Sequence, residues 1–461
     1  MKQIVIIGGG AAGMTAAVAA AQKDRKAKIH ILEHKEIVGK KILSTGNGRC
    51  NFTNDKMDAD CYHSEHPDIV RQVIGRFGKE ETLKLFRSLG IFAKSKNGYY
   101  YPRSEQAAAV RELFSLRLEN LGICVHTGVH VSGIKKGGSG FCIYTEEAGI
   151  KAVSPSSMHA GGAKTKGMKA DSVKADQEKT GRRKADTVKA DQIKAGRNRT
   201  DRISADKVIL CAGGKAAPAL GSDGSGYALA ESLGHGIVPV VPALVQLRVK
   251  DHPLKNASGV RTDAEVRIYE NRKLMGADTG ELQITDYGIS GIPVFQVSRH
   301  AARSLYYNRP VKAEIDFLPE FQEETVAGLL RSQRKRQGQR TVSELCLGVF
   351  NKKLVPCMLK AAGIALQHKA GELSDREMTS IVRICKHFVL DIEACNGFAQ
   401  AQVCAGGVRL KEIDPATMES LCCPGLYLAG EILDADGICG GYNLQWAWAG
   451  GYLAGLSAAA D

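Results

Sequence analysis

The chain has 461 residues, of which 44% are hydrophobic, 24% are charged and 51 are glycine. This length predicts two or three domains, and the composition excludes disordered, fibrous and small disulfide-stapled proteins. The formal net charge of +14 alone would favour nucleic-acid binding, but much of it belongs to one segment described below.

The first predicted elements form a nucleotide-binding pattern. A strand, Gln3 to Ile7, precedes Gly8-x-Gly10-x-x-Gly13, and a helix is predicted from Ala11 to Gln22. The first glycine permits a tight turn, the second lets a diphosphate approach the backbone, and the third lets the helix pack on the strand. Free N–H groups at the start of the helix can then hold phosphate oxygens.

A second predicted strand, Lys28 to Leu32, ends at Glu33, twenty residues beyond Gly13. A carboxylate at this spacing accepts hydrogen bonds from the ribose hydroxyls of an adenosine and repels a 2′-phosphate. The pattern predicts dinucleotide binding, with a βαβ turn that serves packing alone as the alternative, and it leaves FAD and NAD open. The side chain of His34 is expected to face solvent. The candidate cofactor contacts in this part are Gly8, Gly10, Ala11, Ala12, Gly13, Glu33 and His34.

Residues 38–54 are too polar and glycine-rich for a core element. Their basic side chains can contact phosphates or flavin carbonyls. Cys50, beside Arg49, is a candidate for a thiol of low pKa near a flavin, although no C-x-x-C partner supports a disulfide-reductase mechanism. The candidate cofactor contacts in this segment are Lys40, Lys41, Ser44, Gly46, Gly48, Arg49 and Cys50.

Strands are predicted at 122–131, 140–146 and 207–211, and a basic segment, 148–203, separates the last two. This segment has fourteen Lys or Arg and six Asp or Glu, and two consecutive fifteen-residue repeats from Lys169 are identical at eleven positions. Because it lacks aromatic residues and has few large aliphatic ones, it is predicted to be a flexible insertion in a loop. An RNA-binding or acidic-surface-binding arm is the alternative. After the insertion, a buried strand ends at Ala212, Gly213 and Gly214, which are further candidate cofactor contacts.

The character of the sequence changes from about residue 241. Short alternating runs predict an antiparallel, β-rich unit over 241–317, and helical segments are predicted within 318–385. Helices are expected at 318–336 and 374–385, the second with a capping box formed by Ser374 and Glu377.

The segment 426–444, LYLAGEILDADGICGGYNL, predicts a strand, a glycine-rich turn and a last helix from about Leu444. A flavin needs an acid for its ribityl hydroxyls and a helix N-terminus at its pyrimidine edge, where negative charge collects on reduction. The segment offers both, which favours FAD; a capped surface helix with exposed acids is the alternative. The candidate contacts are Gly430, Glu431, Asp434, Gly441, Tyr442, Asn443 and Leu444.

Together, the glycine turn and the segments 39–54, 280–298 and 425–455 closely resemble the BaiN/RdsA-type NAD(P)/FAD-dependent oxidoreductases, also called YhiN-like or aminoacetone-oxidase-like flavoproteins. The resemblance covers the chain outside 148–203. It implies an α/β fold of the two-dinucleotide-binding-domain type. A Rossmann-like FAD-binding domain would be assembled from both chain ends, 1–240 and 401–461, with an inserted β-barrel-like plus helical domain at 241–400.

The resemblance also implies particular contacts. Residues 39–44 look like the flavoprotein G-G-R-x-x-S motif, with Lys40 in place of the second glycine and Lys41 in place of the arginine. Glu431 stands where related flavoproteins often carry an aspartate. Val131 is at the position where similar proteins offer backbone groups to the adenine.

The function implied is that of an FAD-dependent oxidoreductase in which NAD(P)H drives reduction of a small organic substrate, such as an enone C=C bond, by hydride transfer through flavin N5. An amine oxidase that uses O2 on an aminoacetone-like substrate, and an RNA-associated flavoprotein, are alternatives, as is a cofactor-free structural protein. No second G-x-G-x-x-G turn supports a separate nicotinamide domain, so NAD(P)H is expected to dock against the insert. The sequence does not identify a catalytic acid or base, and it does not indicate the oligomeric state.

The cellular setting is predicted from the cysteines and the apolar runs. Thirteen cysteines show neither C-x-x-C nor zinc-finger spacing, which predicts a reduced, cytoplasmic protein with no metal site. The adjacent Cys422 and Cys423 are interpreted as free thiols. No apolar run approaches ~18 residues, so neither a signal peptide nor a membrane partner is expected, and nucleic acid is not expected as a partner either.

Overall fold

The computed structural model describes residues 1–138, 140–147 and 200–460. The predicted flexible insertion, 148–203, lies outside the described residues except at its C-terminal end. There, residues from Thr200 to Ala205 form a strand that pairs with the strand before the insertion. The predicted boundary at residue 203 was therefore wrong, because the chain is already part of a sheet from residue 200.

The first part of the chain mixes helices with short strands. In chain order, its elements are β1 (Gln3–Ile7), α1 (Ala11–Lys23), β2 (Lys28–Glu33), β3 (Thr53–Asn54), β4 (Tyr62–His63), α2 (Pro67–Arg76), α3 (Lys79–Ser88), β5 (Ala93–Lys96), β6 (Tyr99–Pro102), α4 (Ala107–Asn120), β7 (Cys124–Thr127), β8 (Val129–Lys136), β9 (Phe141–Glu147), β10 (Thr200–Ala205), β11 (Lys207–Leu210) and α5 (Ser225–Ser232). The predicted β1, α1 and β2 are confirmed to within one residue.

The second part contains longer strands, a group of helices and a return to the first part. Its elements are β12 (Ile237–Ala243), β13 (Leu247–Val249), β14 (Arg261–Glu270), β15 (Lys273–Ile284), β16 (Gly288–Gly291), α6 (Ile292–Tyr306), β17 (Val311–Asp316), α7 (Glu323–Arg336), α8 (Val342–Cys346), α9 (Leu354–Ala362), α10 (Asp375–Lys386), β18 (Phe388–Cys395), β19 (Val403–Val408), β20 (Leu426–Leu428), β21 (Asp436–Gly437) and α11 (Tyr442–Ala459).

A five-stranded parallel sheet, in the order β20-β11-β1-β2-β7, builds the Rossmann-like part. β1 is a buried apolar run paired in parallel with β2 on one side and β11 on the other. Parallel strands place their carboxyl ends at one edge, so the turns after β1, β2, β11 and β20 lie together. Because β20 comes late in the chain, both halves of the sequence contribute to this edge.

The helices α1 and α11 cross at close range. A Cβ on Gly451 would lie 2.3 Å from the carbonyl oxygen of Ala12, and one on Gly455 would lie 2.2 Å from that of Ala16. Only residues without side chains permit this approach to the alanine-rich α1. The crossing thus fixes a C-terminal helix beside the helix that follows the first glycine turn.

The predicted strand 122–131 is two strands in different sheets. Gly128 has a φ of +70° and separates β7, at the edge of the parallel sheet, from β8, which belongs to an antiparallel sheet ordered β10-β9-β8. This left-handed conformation turns the chain between the sheets. The prediction of a single strand was wrong because the apolar pattern continues on both sides of the glycine.

The insert is built on a closed six-stranded barrel in the order β13-β16-β15-β14-β17-β18. Its buried side chains form a core separate from the core around the parallel sheet. The chain enters along β12 and returns along β19, and these two strands pair with each other. We propose on this basis that the division into 1–240 plus 401–461 and an insert over 241–400 corresponds to two domains.

Helices α7 to α10 lie between β17 and β18 in the sequence. The capping box of Ser374 and Glu377 at the start of α10 is confirmed. The helix predicted from residue 318 begins only at Glu323. Pro319 disfavours helical geometry at the residue before it, which explains the later start. Within the described ranges, no helix combines the length and apolar character needed to cross a bilayer.

Candidate active site

One cavity of about 790 Å³ extends between the two ends of the chain. Its wall includes Gly8 and Gly10 of the first turn, and Gly441 and Asn443 at the start of α11. The turns at the carboxyl edge of the parallel sheet contribute the residues between them. An elongated ligand with a diphosphate at one end can therefore lie along the edge of the sheet.

The three motif glycines have different steric roles. A Cβ on Gly8 would lie 2.3 Å from the carbonyl oxygen of Cys211, and one on Gly13 would lie 1.9 Å from that of Gly8. These two glycines permit close packing within the protein. A Cβ on Gly10 would meet no protein atom within 4 Å, and Gly10 lines the cavity. Its lack of a side chain keeps the space in front of α1 open.

Glu33 is held by backbone groups at the end of β2. One carboxylate oxygen accepts a hydrogen bond from the N–H of Gly9 at 2.8 Å, and the other accepts one from the N–H of Lys35 at 2.7 Å. The residue is buried and lines the cavity. The carboxylate is thus preorganised beside the glycine turn.

The ring of His34 turns inward, so the expectation that it faces solvent was wrong. Its Nδ1 lies 3.6 Å from a carboxylate oxygen of Glu33, and its buried Nε2 has no hydrogen-bond partner among the described residues. His130 of β8 stands edge-on to it, with ring centroids 6.4 Å apart. Both histidines line the cavity beside Glu33.

Lys41 and Glu431 join the two chain ends across the cavity. Lys41 Nζ donates to a carboxylate oxygen of Glu431 at 2.7 Å, and both residues line the wall. The other carboxylate oxygen of Glu431 accepts from the N–H of Cys404 at 3.2 Å. Lys40 instead pairs with Glu36 on the surface at 2.8 Å. Of the two neighbouring lysines, Lys41 presents its charge inside the site.

The N-terminus of α11 opens on the far end of the cavity. Its N-cap residue, Gly441, has no side chain, so the first N–H groups are not capped locally. The side-chain amide of Asn443 is already hydrogen-bonded within the protein, because it exchanges two hydrogen bonds of 2.8 Å with the backbone of Gly437. Asn51 Oδ1 is buried there without a hydrogen-bond partner within the described ranges. Helix dipole and free N–H groups make this end favourable for negative charge.

The far end also has an aromatic and apolar wall. Strand alternation places Tyr99 and Tyr101 of β6 on the cavity wall and directs Tyr100 away from it. The insert adds Ile292 and Phe295 from α6. The cavity is therefore completed by the barrel-bearing part of the chain, with a surface suited to a flat apolar ligand.

Most of the predicted contacts lie on the cavity wall. They are Gly8, Gly10, Ala11, Ala12, Glu33, His34, Lys40, Lys41, Ser44, Gly46, Arg49, Val131, Ala212, Gly213, Gly430, Glu431, Gly441, Asn443 and Leu444. The structure thus brings together residues from widely separated segments of the sequence. Their role in holding a cofactor stays a prediction.

The remaining predicted contacts do not line the cavity. They are Gly13, Gly48, Cys50, Gly214, Asp434 and Tyr442. Gly13 and Gly214 serve internal packing, since a Cβ on Gly214 would lie 3.2 Å from Cys404 Sγ. Gly48 has a φ of +80° and turns the chain behind the wall.

Cys50, Asp434 and Tyr442 are buried and make contacts within the protein. Burial raises the pKa of the Cys50 thiol to about 12, so the prediction of a low-pKa thiol was wrong. The buried carboxylate of Asp434 accepts from the N–H of Glu65 at 3.0 Å. Tyr442 is buried, and its carbonyl oxygen accepts from the hydroxyl of Tyr62 at 2.9 Å.

Sequence reasoning missed several wall residues. Besides His130, they include Asn51, Tyr99, Tyr101 and Cys439. A usable signal existed only for the tyrosines: the run Tyr99-Tyr100-Tyr101 in a short strand predicts two aromatic side chains on one face. Nothing in the sequence indicates that this face meets the start of α11.

The donors and acceptors on the wall fit an FAD molecule. Open space in front of Gly10 at the start of α1 suits a diphosphate, and the anchored Glu33 suits a ribose. The unpartnered Asn51 oxygen and the N-terminus of α11 suit the polar edge of a flavin. Fold and site define the class: the chain is a Rossmann-type, FAD-dependent oxidoreductase.

Comparison with known proteins specifies the family. The chain belongs to the HI0933-like family, because the sequence profile described as "HI0933-like protein Rossmann domain" matches residues 2–175 and 165–457. It is 48% identical to the 3-dehydro-bile acid delta(4,6)-reductase of Clostridium scindens, over 100% of this chain and 99% of the relative.

More distant relatives and solved structures are also similar. Identity to the ribosomal RNA dihydrouridine synthase of Haemophilus influenzae is 26%, over 98% of this chain and 97% of the relative. The open conformation of a flavocytochrome c3 fumarate reductase is similar with a TM-score of 0.46 and 13% identity, over 99% of this chain and 78% of that one.

Proposed function

We propose that this enzyme uses NAD(P)H to saturate a C=C bond conjugated to a carbonyl in a small organic substrate. The observation that carries the proposal is the continuous cavity between the first turns of α1 and α11. The 48% identity to a reductase of 3-dehydro-bile acids favours a flat, steroid-like enone. The aromatic and apolar wall at the far end suits such a ring system.

Different residues along the cavity bind different parts of FAD. The N–H groups at the start of α1 hold the diphosphate, and Glu33 holds the adenosine ribose. Lys41 and Glu431 bind the middle of the cofactor, and the N-terminus of α11 stabilises negative charge at the pyrimidine edge. When bound, FAD supplies two-electron hydride chemistry that no side chain can provide. NAD(P)H and the substrate approach from the barrel side in turn.

The test is the visible absorbance spectrum of the purified protein, followed by anaerobic additions. NADH or NADPH should bleach the flavin band, and a 4,6-dien-3-one steroid should then restore it. Aminoacetone is the comparison, because the amine-oxidase alternative predicts bleaching by this amine. Bleaching by aminoacetone alone, with no response to either nicotinamide, would exclude the reductase.

A second candidate substrate is a uracil base in RNA. The 26% identity to a ribosomal RNA dihydrouridine synthase supports it, and the C5=C6 bond of uracil is likewise conjugated to a carbonyl. Reduced enzyme would be mixed with uridine-containing RNA and with the steroid in parallel. The RNA alternative predicts reoxidation by RNA and a steep salt dependence of RNA binding. Deletion of 148–199 then shows whether the basic segment contributes to that binding.

A further inference from the structure

Saturating a conjugated C=C bond, the proposed function on which this inference rests, requires a proton donor. A hydride adds to the β carbon, and a proton must form the new C–H bond at the α carbon as the π bond breaks. NAD(P)H supplies the two electrons through the cofactor, so the protein must supply the proton. A positioned general acid near the reacting carbon is needed at the far end of the cavity.

Few protic side chains other than amides line that end. Those that residues 49–51, β6 and the turn before α11 contribute to the wall are Arg49, Tyr99, Tyr101 and Cys439. The guanidinium of Arg49 is a poor acid, because it stays charged in proteins. Its central carbon lies 5.5 Å from the ring centre of Tyr101, so these two side chains pack against each other. The thiol of Cys439 is only partly exposed, and its backbone N–H donates to Gln296 at 2.8 Å.

Tyr99 is placed differently. A Cβ on Gly440 would lie 3.0 Å from its ring carbon Cε1, so the ring packs directly beside the residue before the N-cap of α11. Its strand, β6, pairs with β3, where Tyr99 is opposite Asn54. The ring remains 38% exposed while it lines the cavity. It is therefore held on two sides and open toward the ligand space.

The Tyr99 hydroxyl keeps its proton at neutral pH. Burial raises the pKa of this hydroxyl, and the charges of Cys439, Tyr101 and Asp278 raise it further. The hydroxyl is thus available as a proton donor on the cavity wall.

We propose that Tyr99 donates the proton to the α carbon of the substrate. The O–H bond of Tyr99 breaks as the C–H bond forms, and solvent reprotonates the resulting phenolate at the exposed side of the ring. One hydride and one proton are consumed for each C=C bond saturated.

The experiment compares Tyr99→Phe with Tyr100→Phe, since both remove one hydroxyl from β6 but Tyr100 points away from the cavity and donates to Asp55. FAD-loaded enzyme is reduced anaerobically with NAD(P)H and then mixed with a 4,6-dien-3-one steroid in a stopped-flow instrument. Tyr99→Phe should reduce at the wild-type rate but reoxidise about 10²–10⁴-fold more slowly, the usual contribution of a general acid. Tyr100→Phe should reoxidise at the wild-type rate.

Two further measurements separate chemistry from positioning. The solvent deuterium isotope effect on reoxidation should be present in wild type and changed in Tyr99→Phe. Binding of the saturated 3-oxo steroid, measured by calorimetry, should be the same in both, whereas a merely structural role would weaken it.

The outcomes are distinct. Equal reoxidation rates in wild type and Tyr99→Phe would overturn the donor role while leaving the reductase intact. If the steroid fails to reoxidise even the reduced wild-type enzyme, the proposed substrate class fails, and the donor role with it. An equal loss in both tyrosine variants would indicate a structural effect of altering β6 and exclude a specific donor.

Discussion

Gly10 and Gly13 lack side chains for opposite reasons. Gly13 is in contact with the carbonyl oxygen of Gly8, whereas Gly10 faces open cavity. A methyl group at residue 13 disturbs packing between α1 and the turn, and one at residue 10 enters the space in front of the helix N-terminus. Substitutions at these two glycines should therefore affect stability and cofactor affinity separately, although they are only three residues apart.

We predict that Gly10→Ala folds normally but binds FAD at least about tenfold more weakly, because the methyl group displaces the diphosphate from the N–H groups of α1. Gly13→Ala should instead lower the free energy of unfolding by about 1–3 kcal/mol. Thermal melts of the apo proteins and FAD fluorescence titrations measure the two effects. Equal FAD affinity in Gly10→Ala and wild type would contradict the placement of the diphosphate.

The ion pair of Lys41 and Glu431 gives a second prediction. Glu431→Gln removes the negative charge opposite Lys41 in a half-buried position and replaces one acceptor oxygen with an amide N–H donor. We expect FAD affinity to fall by about 5- to 100-fold, the effect of losing one charged hydrogen bond. Glu36→Gln is the matched control, because it breaks only the surface pair with Lys40 and should change affinity less than about twofold. Similar losses in both variants would show a nonspecific charge effect.

The crossing of α1 and α11 holds the site together. Gly451 and Gly455 contact the backbone of α1, and the N-termini of both helices border the same cavity. Any increase in the separation of the helices must shift one end of the cavity relative to the other. The close packing of the α11 glycines on α1 therefore sets the distance between the two ends of the cavity.

Gly455→Ala should therefore lower both stability and FAD affinity, because its Cβ would collide with the carbonyl oxygen of Ala16 at 2.2 Å. We expect a loss of about 1–3 kcal/mol in the free energy of unfolding. Gly328→Ala in α7 is the control, since a Cβ there meets nothing within 4 Å. It should be neutral or stabilising by up to about 1 kcal/mol. Chemical denaturation of the two variants compares them directly.

The elements also explain what the sequence could reveal. β1, α1 and β2 were predictable because their apolar runs, glycine spacing and terminal Glu33 form one continuous local pattern. Glu431 and Asp434 looked equivalent three residues apart, yet only Glu431 reaches the cavity, since Asp434 is drawn to the N–H of Glu65. Contacts with residues distant in the sequence decide which of the two acids reaches the cavity. A single sequence does not show these contacts.

The same argument applies to the tyrosine wall. Alternation along β6 predicts that Tyr99 and Tyr101 share a face, but their position depends on α11, more than three hundred residues away in the sequence. The alternating pattern predicted an antiparallel unit that ends at residue 317, and the family resemblance alone implied a barrel-like insert. Its closing strand, β18, follows four helices, so closure was not visible from the local pattern.

For the whole molecule, a buried basic cluster connects the insert to the Rossmann-like part. Arg299 of α6 forms a buried ion pair with Asp436 of β21 at 2.9 Å. Beside it, the rings of His63 and His300 are 5.8 Å apart. Burial, reinforced by the nearby arginines, lowers the pKa of His63 to about 3 and that of His300 to about 4.

These values predict an acid-sensitive fold. Both histidines are neutral in the folded chain and have an ordinary pKa near 6.5 when unfolded, so their contribution to stability is complete above about pH 6.5. It falls as acidification protonates the unfolded chain first, by about 1–2 kcal/mol for each histidine between pH 7 and 5. His63→Gln and His300→Gln should flatten this part of the stability profile.

His387→Gln is the control for that profile, since its side chain is 41% exposed and lies on the helical side of the insert. Urea denaturation at several pH values measures all three variants. A pH profile that keeps its wild-type slope in the double variant His63→Gln/His300→Gln would contradict the assignment.

The crossing of α1 and α11 also constrains how the protein is made. The barrel strands, β13 to β18, are consecutive in the sequence and can assemble while translation proceeds. α1 leaves the ribosome early but finds its partner only after the entire insert has been synthesised. Cofactor loading is therefore expected to wait for the emergence of α11, and ribosome-bound chains that stop before Tyr442 should contain a finished barrel and no flavin.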